Sequence, residues 1–561
     1  MRPVLAGILM LLTLQRSAHA VDAQDIFHDP ADLLYANPQA GSIRLRTKKG
    51  TVGQAMLILG TRSFGMHLGY SDREYEYYIV RLNAFDSTLS YRFLVRFGTD
   101  SLVHPAEGNF RPTVESIMTP SWAAGKTYYY VNVDGFNNGD TRNDPDEKKD
   151  WNTGPEDWTP YGGDLRGIIQ KIGYLDSLGP DIIMLSPIFT ANSNHKFNPR
   201  DYATIDPAFG DTNDLRRLVD AIHAVRKRVV LSIVFSHTGD DFPAFTDIVA
   251  KQRASRFIDW YRIQSMDPDE RGFTYRAWRS DLRFPLLNLS NQQLQNYLTG
   301  FIDYWVRFGF DGLYIGEQDE IDNDFMTRLH NYMQVRYPNI LLITSDYRSR
   351  REGISDCCFD RAFISTLIDY FVNNEITTAE FDSTINYMYF YVPEQRNQSN
   401  LIGLFDYSKR IRSIVDDDLL ELMYAFIFTC QCSPILLSGD EMGMRDCAFL
   451  NWGSFPWNIG RQDRALWNRI RTLMKIRREN PELTGQHFYT LYIDDIKKVY
   501  AYDRGGIIVV LNCNPAQVFV ELPAWDGSYV DLINREKYTA YSQILKLSVE
   551  PMSYRILKRG I

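Results

Sequence analysis

The chain has 561 residues, 44% of them hydrophobic and 23% charged, so it is too long for a single structural unit and too apolar for extensive disorder. Lys and Arg total 61 against 70 Asp and Glu, and the resulting formal charge of −9 argues against a nucleic-acid binder. Aromatic residues reach 14%. They serve either large cores or flat rings that stack on sugars, and composition does not choose between the two.

The N-terminus reads as a processing segment. Met1-Arg2 gives a positive start, Leu5 to Leu14 is apolar, and Ala18-His19-Ala20 offers a small-x-small cleavage site. Residues 1–20 are therefore expected to be a signal peptide, and the protein to be exported to a periplasmic or extracellular space. The apolar run falls short of the roughly 20 residues that a membrane-spanning helix needs. No Cys follows it, so no lipid anchor is indicated, and no transmembrane span is expected after cleavage. The six Cys have neither the spacing of a disulfide framework nor that of a zinc site, and they are expected to be buried free thiols.

Residues 21–120 read as an N-terminal β-sandwich. Ser42 to Thr47 alternates with period 2, Glu76 to Arg81 forms a short apolar run, and turn residues such as Lys49-Gly50 separate the segments. From 121 to 479 the pattern becomes short apolar runs alternating with amphipathic helices. The runs are Tyr128 to Val133, Asp181 to Ser186, Arg228 to Phe235, Gly312 to Ile315, Ile340 to Ile343, Leu401 to Phe405 and Pro434 to Leu437. Helices are predicted at Asp214 to Arg226 and Asn291 to Phe308. This alternation points to an α/β fold, and its length fits an eight-stranded (β/α)8 TIM barrel better than an open sheet. An irregular stretch at about 237–284 reads as an inserted subdomain. Residues 480–561 return to β patterning, as in Gly506 to Leu511, and read as a C-terminal β domain.

Several stretches resemble the α-amylase family, glycoside hydrolase family 13, and most closely its neopullulanase and cyclomaltodextrinase branch. They are Tyr161-Gly162-Gly163-Asp164-Leu165-Arg166-Gly167-Ile168, Leu185-Ser186-Pro187-Ile188-Phe189, Ser193-Asn194-His195-Lys196 with Asp201-Tyr202, and Ser438-Gly439-Asp440-Glu441-Met442-Gly443-Met444. The resemblance covers nearly the whole chain. It implies a barrel with an inserted domain B, a starch-binding-like N-terminal sandwich and a C-terminal β-sandwich domain. It also implies an α-glucan substrate: maltodextrin, cyclodextrin or starch.

Retaining glycoside cleavage needs two carboxyl groups about 5 Å apart, a nucleophile and an acid. The family adds a third carboxylate. Its fourth-strand pattern, Asp-Gly-aromatic-Arg-x-Asp, reads here Asp311-Gly312-Leu313-Tyr314-Ile315-Gly316, so Gly316 stands at the nucleophile position and Tyr314 at the Arg. Spacing back from Phe359-Asp360 puts Ser345 at the acid. Leu404-Phe405-Asp406 loses the family His and keeps the third carboxylate, Asp406. Ser232 and Ser236 replace polar family residues, while His237 stays. Glycine cannot form a glycosyl ester, and a Ser hydroxyl is no acid near neutral pH, so hydrolysis is expected to be lost. Glu317 and Asp346 each lie one residue past a lost position. In a regular strand both face away from the site, and only a bulge could re-aim them. Glu320 matches an acidic family position that could line the cleft.

His195, Tyr202 and His237 match positions that, by the resemblance, line the first sugar subsite, and Asp406, the third carboxylate, would bind substrate beside them. Trp457 lies after the eighth strand. The segment Asn138-Gly139-Asp140-Thr141-Arg142-Asn143-Asp144 suits a hard cation or, equally, a turn that closes itself through side-chain-to-backbone bonds. The resemblance implies structural Ca²⁺ held by Asn138, Asp140, Asn143, Asp144, the carbonyl of Gly162 and Asp164. Three functions stay open: a catalytically impaired α-glucan binder or scaffold, a hydrolase using non-standard carboxylates, and a protein-interaction subunit. Members of the branch often dimerise through the N-terminal sandwich, so the resemblance leaves a homodimer open.

Overall fold

The computed structural model describes the chain apart from residues 1–22, 29–33, 38–39, 72–74, 83–88, 112–118, 267–272, 317–319, 346–353, 392–399, 406–408, 486 and 561. The expected signal peptide lies outside the described residues, and so do Glu317, Asp346 and Asp406. The chain divides into two compact units, Met1–Val114 and Glu115–Ile561.

The first unit is a sandwich of two antiparallel sheets. Ala40–Lys48 and Tyr75–Leu82 pair at the centre of one, and Gln54–Leu59 and Tyr91–Phe97 at the centre of the other. Period-2 alternation builds its core. In Tyr91–Phe97, residues Tyr91, Phe93 and Val95 are buried and join Ile43, Leu45 and Leu57 in one apolar cluster.

The second unit begins with eight parallel strands: Tyr128–Val131, Ile182–Leu185, Arg228–Val234, Gly312–Gly316, Leu341–Thr344, Cys357–Cys358, Leu401–Ile402 and Ser433–Leu437. Neighbours pair in the order six, five, four, three, two, one, eight, seven. A parallel bridge between Phe359 and Leu401 closes the ring, and the Asp360 N–H donates to the Leu401 carbonyl at 2.9 Å. The barrel is thus complete. Its sixth strand, only two residues long, is absent from the apolar runs that the sequence displays. Alternate residues separate two cores. Tyr130, Met184, Val230, Tyr314, Ile343 and Ile435 face inward and share one cluster. Tyr129, Ile183, Leu231, Ile315 and Leu342 pack outward against the helices.

Helices flank the strands where local sequence allows. Gln292–Phe308 starts where the Asn291 side chain accepts the Leu294 N–H at 3.0 Å, and it stops at Gly309, whose φ is +120°. Its spacing buries Leu294, Leu298, Ile302 and Trp305. Truncating a buried Trp of this kind costs about 3–5 kcal/mol. Between strand three and this helix lies the insertion, with helix Pro243–Lys251 and a hairpin of Ile263–Ser265 and Thr274–Tyr275.

Eight antiparallel strands from Tyr489–Asp494 to Ser553–Arg559 form the C-terminal sheet. Its two edge strands, Tyr489–Asp494 and Val518–Pro523, lie against each other and give it a barrel-like shape. Two buried arginines brace the barrel here, Arg477 within the barrel itself and Arg504 between the barrel and the C-terminal region. Arg477 donates to the carbonyls of Gly125 at 3.0 Å, Phe428 at 2.8 Å and Cys430 at 3.2 Å, and also to Cys432. Arg504 donates to the carbonyls of His487 at 2.6 Å, Leu483 at 3.0 Å and Gly485 at 2.7 Å, and also to Thr429. Both guanidinium groups reach the C-terminal end of helix Asp417–Thr429, where carbonyls lack helical partners and favour a cation. Among the described residues no helix is long and apolar enough to cross a membrane.

Candidate functional site

Barrel active sites form at the C-terminal ends of the strands. Gly316 ends strand four, paired with Val234, and shares the inward parity of Tyr314. A Cβ placed on Gly316 would lie 3.5–3.7 Å from atoms of the Tyr314 ring, so that ring borders the space a side chain at 316 would enter. Ser345 follows strand five in register with the inward-facing Leu341 and Ile343, and it is buried. Phe405 packs 5.5 Å from Phe359 and 6.2 Å from Tyr130, between ring centroids. These rings, with Met184, Phe197 and Trp452, line a cavity of about 240 Å³ to which Arg361 and Ser365 also contribute. Trp452 is held in place by buried Arg410, which donates to its carbonyl at 2.9 Å and to the Asp440 carboxylate at 2.6 Å. Where family chemistry needs a nucleophile and an acid, the described residues supply Gly316, Ser345 and aromatic surface.

The two histidines come together on either side of Phe284. The Phe197 N–H donates to His195 Nδ1 at 3.0 Å, so the neutral ring carries its proton on Nε2. His237 Nδ1 pairs with Ser236 Oγ at 2.8 Å. Both Nε2 atoms are buried without a protein partner, an arrangement that costs about 1–3 kcal/mol per group unless something polar reaches them. Burial pushes the His237 pKa down to about 3 and that of His195 well below the usual imidazole value. Both rings flank Phe284, at 6.2 Å for His195 and 5.3 Å for His237. Trp158 stands edge-on to His195 at 5.0 Å, and Trp278 stacks on His237 at 4.9 Å. Sequence reasoning missed this aromatic cover, whose members come from three separate segments and form no local motif.

Tyr202 requires a correction. It is fully buried among Phe189, Phe235, Phe242 and Phe301, and its hydroxyl donates to the Val234 carbonyl at 2.6 Å. It therefore joins the loop carrying Asp201-Tyr202 to strand three and offers no ring face to a ligand. Tyr202→Phe is expected to lower stability by about 1–2 kcal/mol, since a buried carbonyl loses its donor, and to leave sugar affinity unchanged. Denaturant melts and calorimetry on the variant check both statements. Glu320 is also committed elsewhere, with Oε2 3.3 Å from Arg262 and 3.6 Å from Arg276 of the insertion. Trp457 donates its indole N–H to the Phe136 carbonyl at 2.6 Å and clamps the first loop rather than the cleft.

The Asn/Asp loop follows strand one. A Cβ on Gly167 would overlap the Asn137 carbonyl, so only glycine permits this close packing of loop and helix. Asn138 Nδ2 donates to Asp144 Oδ1 at 2.6 Å. Asn138 Oδ1 and Asn143 Oδ1 are buried acceptors without partners. A Cβ on Gly162 would come 2.7 Å from Asp144 Oδ1, which places that glycine against the same carboxylate. The unpartnered oxygens fit a hard cation. Two expected ligands fit it less well. The Asp140 carboxylate pairs with Arg142 at 2.7 Å and with Arg166, and Asp164 accepts the N–H groups of Gly139, Asp140 and Gly167 at 2.7–2.9 Å. Asp144 is committed as well, to Asn138 and to Lys148 at 3.4 Å, and among the described residues no cluster of three His, Cys, Asp or Glu gathers for a metal.

Two further carboxyl groups are buried beneath the mouth. Glu441 accepts the hydroxyls of Tyr129 and Tyr174 and the Gly439 N–H, and burial pushes its pKa up to about 7. Asp134 accepts the N–H groups of Tyr161 at 3.0 Å and Gly162 at 3.1 Å, and burial pushes its pKa up to about 6. Both hold loops of the barrel mouth in place.

Known proteins place this arrangement. The family model of the alpha-amylase catalytic domain matches residues 130–484. A cyclomaltodextrinase of Thermoanaerobacter pseudethanolicus is 29% identical over 533 residues, covering 88% of this chain and 90% of the relative. Neopullulanase 2 of Thermoactinomyces vulgaris is 27% identical over 584 residues, covering 95% and 99%. A solved cyclomaltodextrinase structure superposes with a TM-score of 0.87 at 23% identity, over 95% of this chain and 100% of that one. The chain belongs to the alpha-amylase family, on its neopullulanase- and cyclomaltodextrinase-like branch.

Proposed function

We propose that this protein serves α-glucan metabolism by binding α-glucans without cleaving them. The observation that carries the reading is Gly316 at the inward end of strand four, bordered by the Tyr314 ring. Ser345 at the acid register supports it. The names of the relatives, cyclomaltodextrinase and neopullulanase, supply the substrate class. The unpartnered Nε2 atoms of His195 and His237 favour a polar guest over an empty cleft. Transition-state groups contribute little to holding an intact sugar, so ground-state binding survives their loss. Maltooligosaccharides are expected to bind with a Kd on the order of 0.1–1 mM. Calorimetry with maltoheptaose tests this beside a reducing-sugar assay. Absence of binding at several millimolar sugar overturns the reading.

The unpartnered oxygens of Asn138 and Asn143, with Asp144 and the Gly162 carbonyl beside them, would hold Ca²⁺ as a structural clamp on the loop after strand one. A ligand bound only by the folded state stabilises it by mass action. Chelation with EDTA is expected to lower the Tm by several degrees, and Asn143→Ala to remove that response. An unchanged melting curve together with no calcium by elemental analysis overturns the assignment. The apolar leader supports export, which N-terminal sequencing of secreted protein tests.

A further inference from the structure

The C-terminal sheet carries a second concave site, remote in sequence from every motif above. Because its edge strands Tyr489–Asp494 and Val518–Pro523 close on each other, one end of the sheet opens as a mouth of about 580 Å³. Mouths of β-barrels are favoured ligand sites, and this volume falls in the range of roughly 300–1,000 Å³ that small-molecule sites occupy. Two aromatic rings stand at it. Tyr489, on the first strand, is 48% exposed, and Trp525, just past the fourth, is 70% exposed. Phe519 and Tyr541 on the same sheet are exposed too, so what sets Tyr489 and Trp525 apart is their place at this concave opening.

The polar groups between the rings narrow the ligand class. Asp503 ends the second strand. Its carboxylate is fixed by the N–H groups of Gly505 at 3.1 Å and Gly506 at 2.9 Å, and it pairs with His487 at 2.6 Å. Arg559 ends the last strand, with one nitrogen on the Asp526 carbonyl at 2.9 Å. Gln543 adds an amide from the turn before the seventh strand. One carboxylate, one guanidinium, one imidazole and one amide give no strong net charge, which disfavours a phosphate or a polyanion. An apolar peptide would desolvate these groups and offer nothing to their remaining donors and acceptors. A pyranose chain matches both halves: its C–H faces cover exposed rings, and its hydroxyls both donate and accept.

We propose that this mouth is a surface carbohydrate site that takes an α-glucan chain, with Trp525 and Tyr489 as its platforms. The choice of α-glucan among carbohydrates rests on the proposed function. The site itself rests on the rings and polar groups of the sheet.

Affinity electrophoresis in amylose gels and calorimetry with maltoheptaose and cellohexaose test it on the full chain. The variants are Trp525→Ala, the double variant Tyr489→Ala/Trp525→Ala, and the cleft pair His195→Ala/His237→Ala. Melting curves of the first two should match wild type, because both rings are exposed. Retardation in amylose that falls at least fivefold in Trp525→Ala, and persists in the cleft variant, supports the site. Unchanged retardation in the double variant overturns it and leaves the cleft reading standing. Binding of cellohexaose as tight as maltoheptaose, lost in Trp525→Ala, overturns the α-glucan assignment. A wild-type protein that binds no glucan overturns both readings together.

Discussion

Purified protein incubated with starch, pullulan or cyclodextrins is expected to release reducing ends more slowly than an active cyclomaltodextrinase by a factor on the order of 10⁴ or more. The physical reason is local. The position that the family resemblance gives to the nucleophile is a glycine on the inward face of strand four, and the one it gives to the acid is a buried serine. Neither can form or break the glycosyl ester, and general acid catalysis alone typically supplies about 10²–10⁴ in rate. Space for repair exists, since a Cβ at 316 meets the Tyr314 ring only at ordinary contact distance, 3.5 Å or more. Gly316→Asp alone should stay silent. Gly316→Asp with Ser345→Glu and Tyr314→Arg should raise turnover above wild type by at least tenfold. Robust wild-type hydrolysis that disappears in Glu317→Gln or Asp346→Asn would sink the non-catalytic reading.

The second large effect is on stability against pH. In Glu441 the folded pKa, about 7, lies above the ordinary 4.5, and in Asp134 it is about 6 against 3.8. Both groups are buried, and in both burial is the leading cause. The folded state therefore holds protons that the unfolded state has released. For Glu441 this contribution is fully present below about pH 4.5, falls as pH rises, and is lost above about 7. The difference corresponds to roughly 3 kcal/mol. Urea melts at pH 5 and 7.5 should show this loss in wild type. Glu441→Gln should be less stable at pH 5, where an amide faces the Gly439 N–H, yet lose about 2 kcal/mol less between the two pH values. An identical pH dependence in the variant would refute the assignment.

How much of this was legible in the sequence depends on the range of the interactions involved. The alternation of Tyr91–Phe97 and the helix beginning after Asn291 are local patterns, and the sequence displays them directly. Strand six is two cysteines long, and its pairing depends on strand five and the Phe359 bridge rather than on any run of its own. The register of Gly316 and Ser345 was readable because fixed spacing carries strand parity. The burial of Tyr202 was not. Its neighbours Phe235, Phe242 and Phe301 come from other elements, so no pattern around the Asp201-Tyr202 motif reports that the ring faces a core. The commitment of Asp140 to Arg166 is equally non-local, since a loop rich in oxygen ligands looks the same whether or not an arginine from the next helix reaches it.

Arg504, at the end of helix Asp417–Thr429, ties the C-terminal sheet to the barrel. A chain cut after Glu479 would keep every barrel strand and helix yet lose Arg504, and the Thr429 carbonyl would lose that donor in the interior. Dissection by truncation therefore disturbs the barrel that it is meant to isolate. Point substitution leaves this tie intact, and so it separates the mouth on the sheet from the cleft in the barrel.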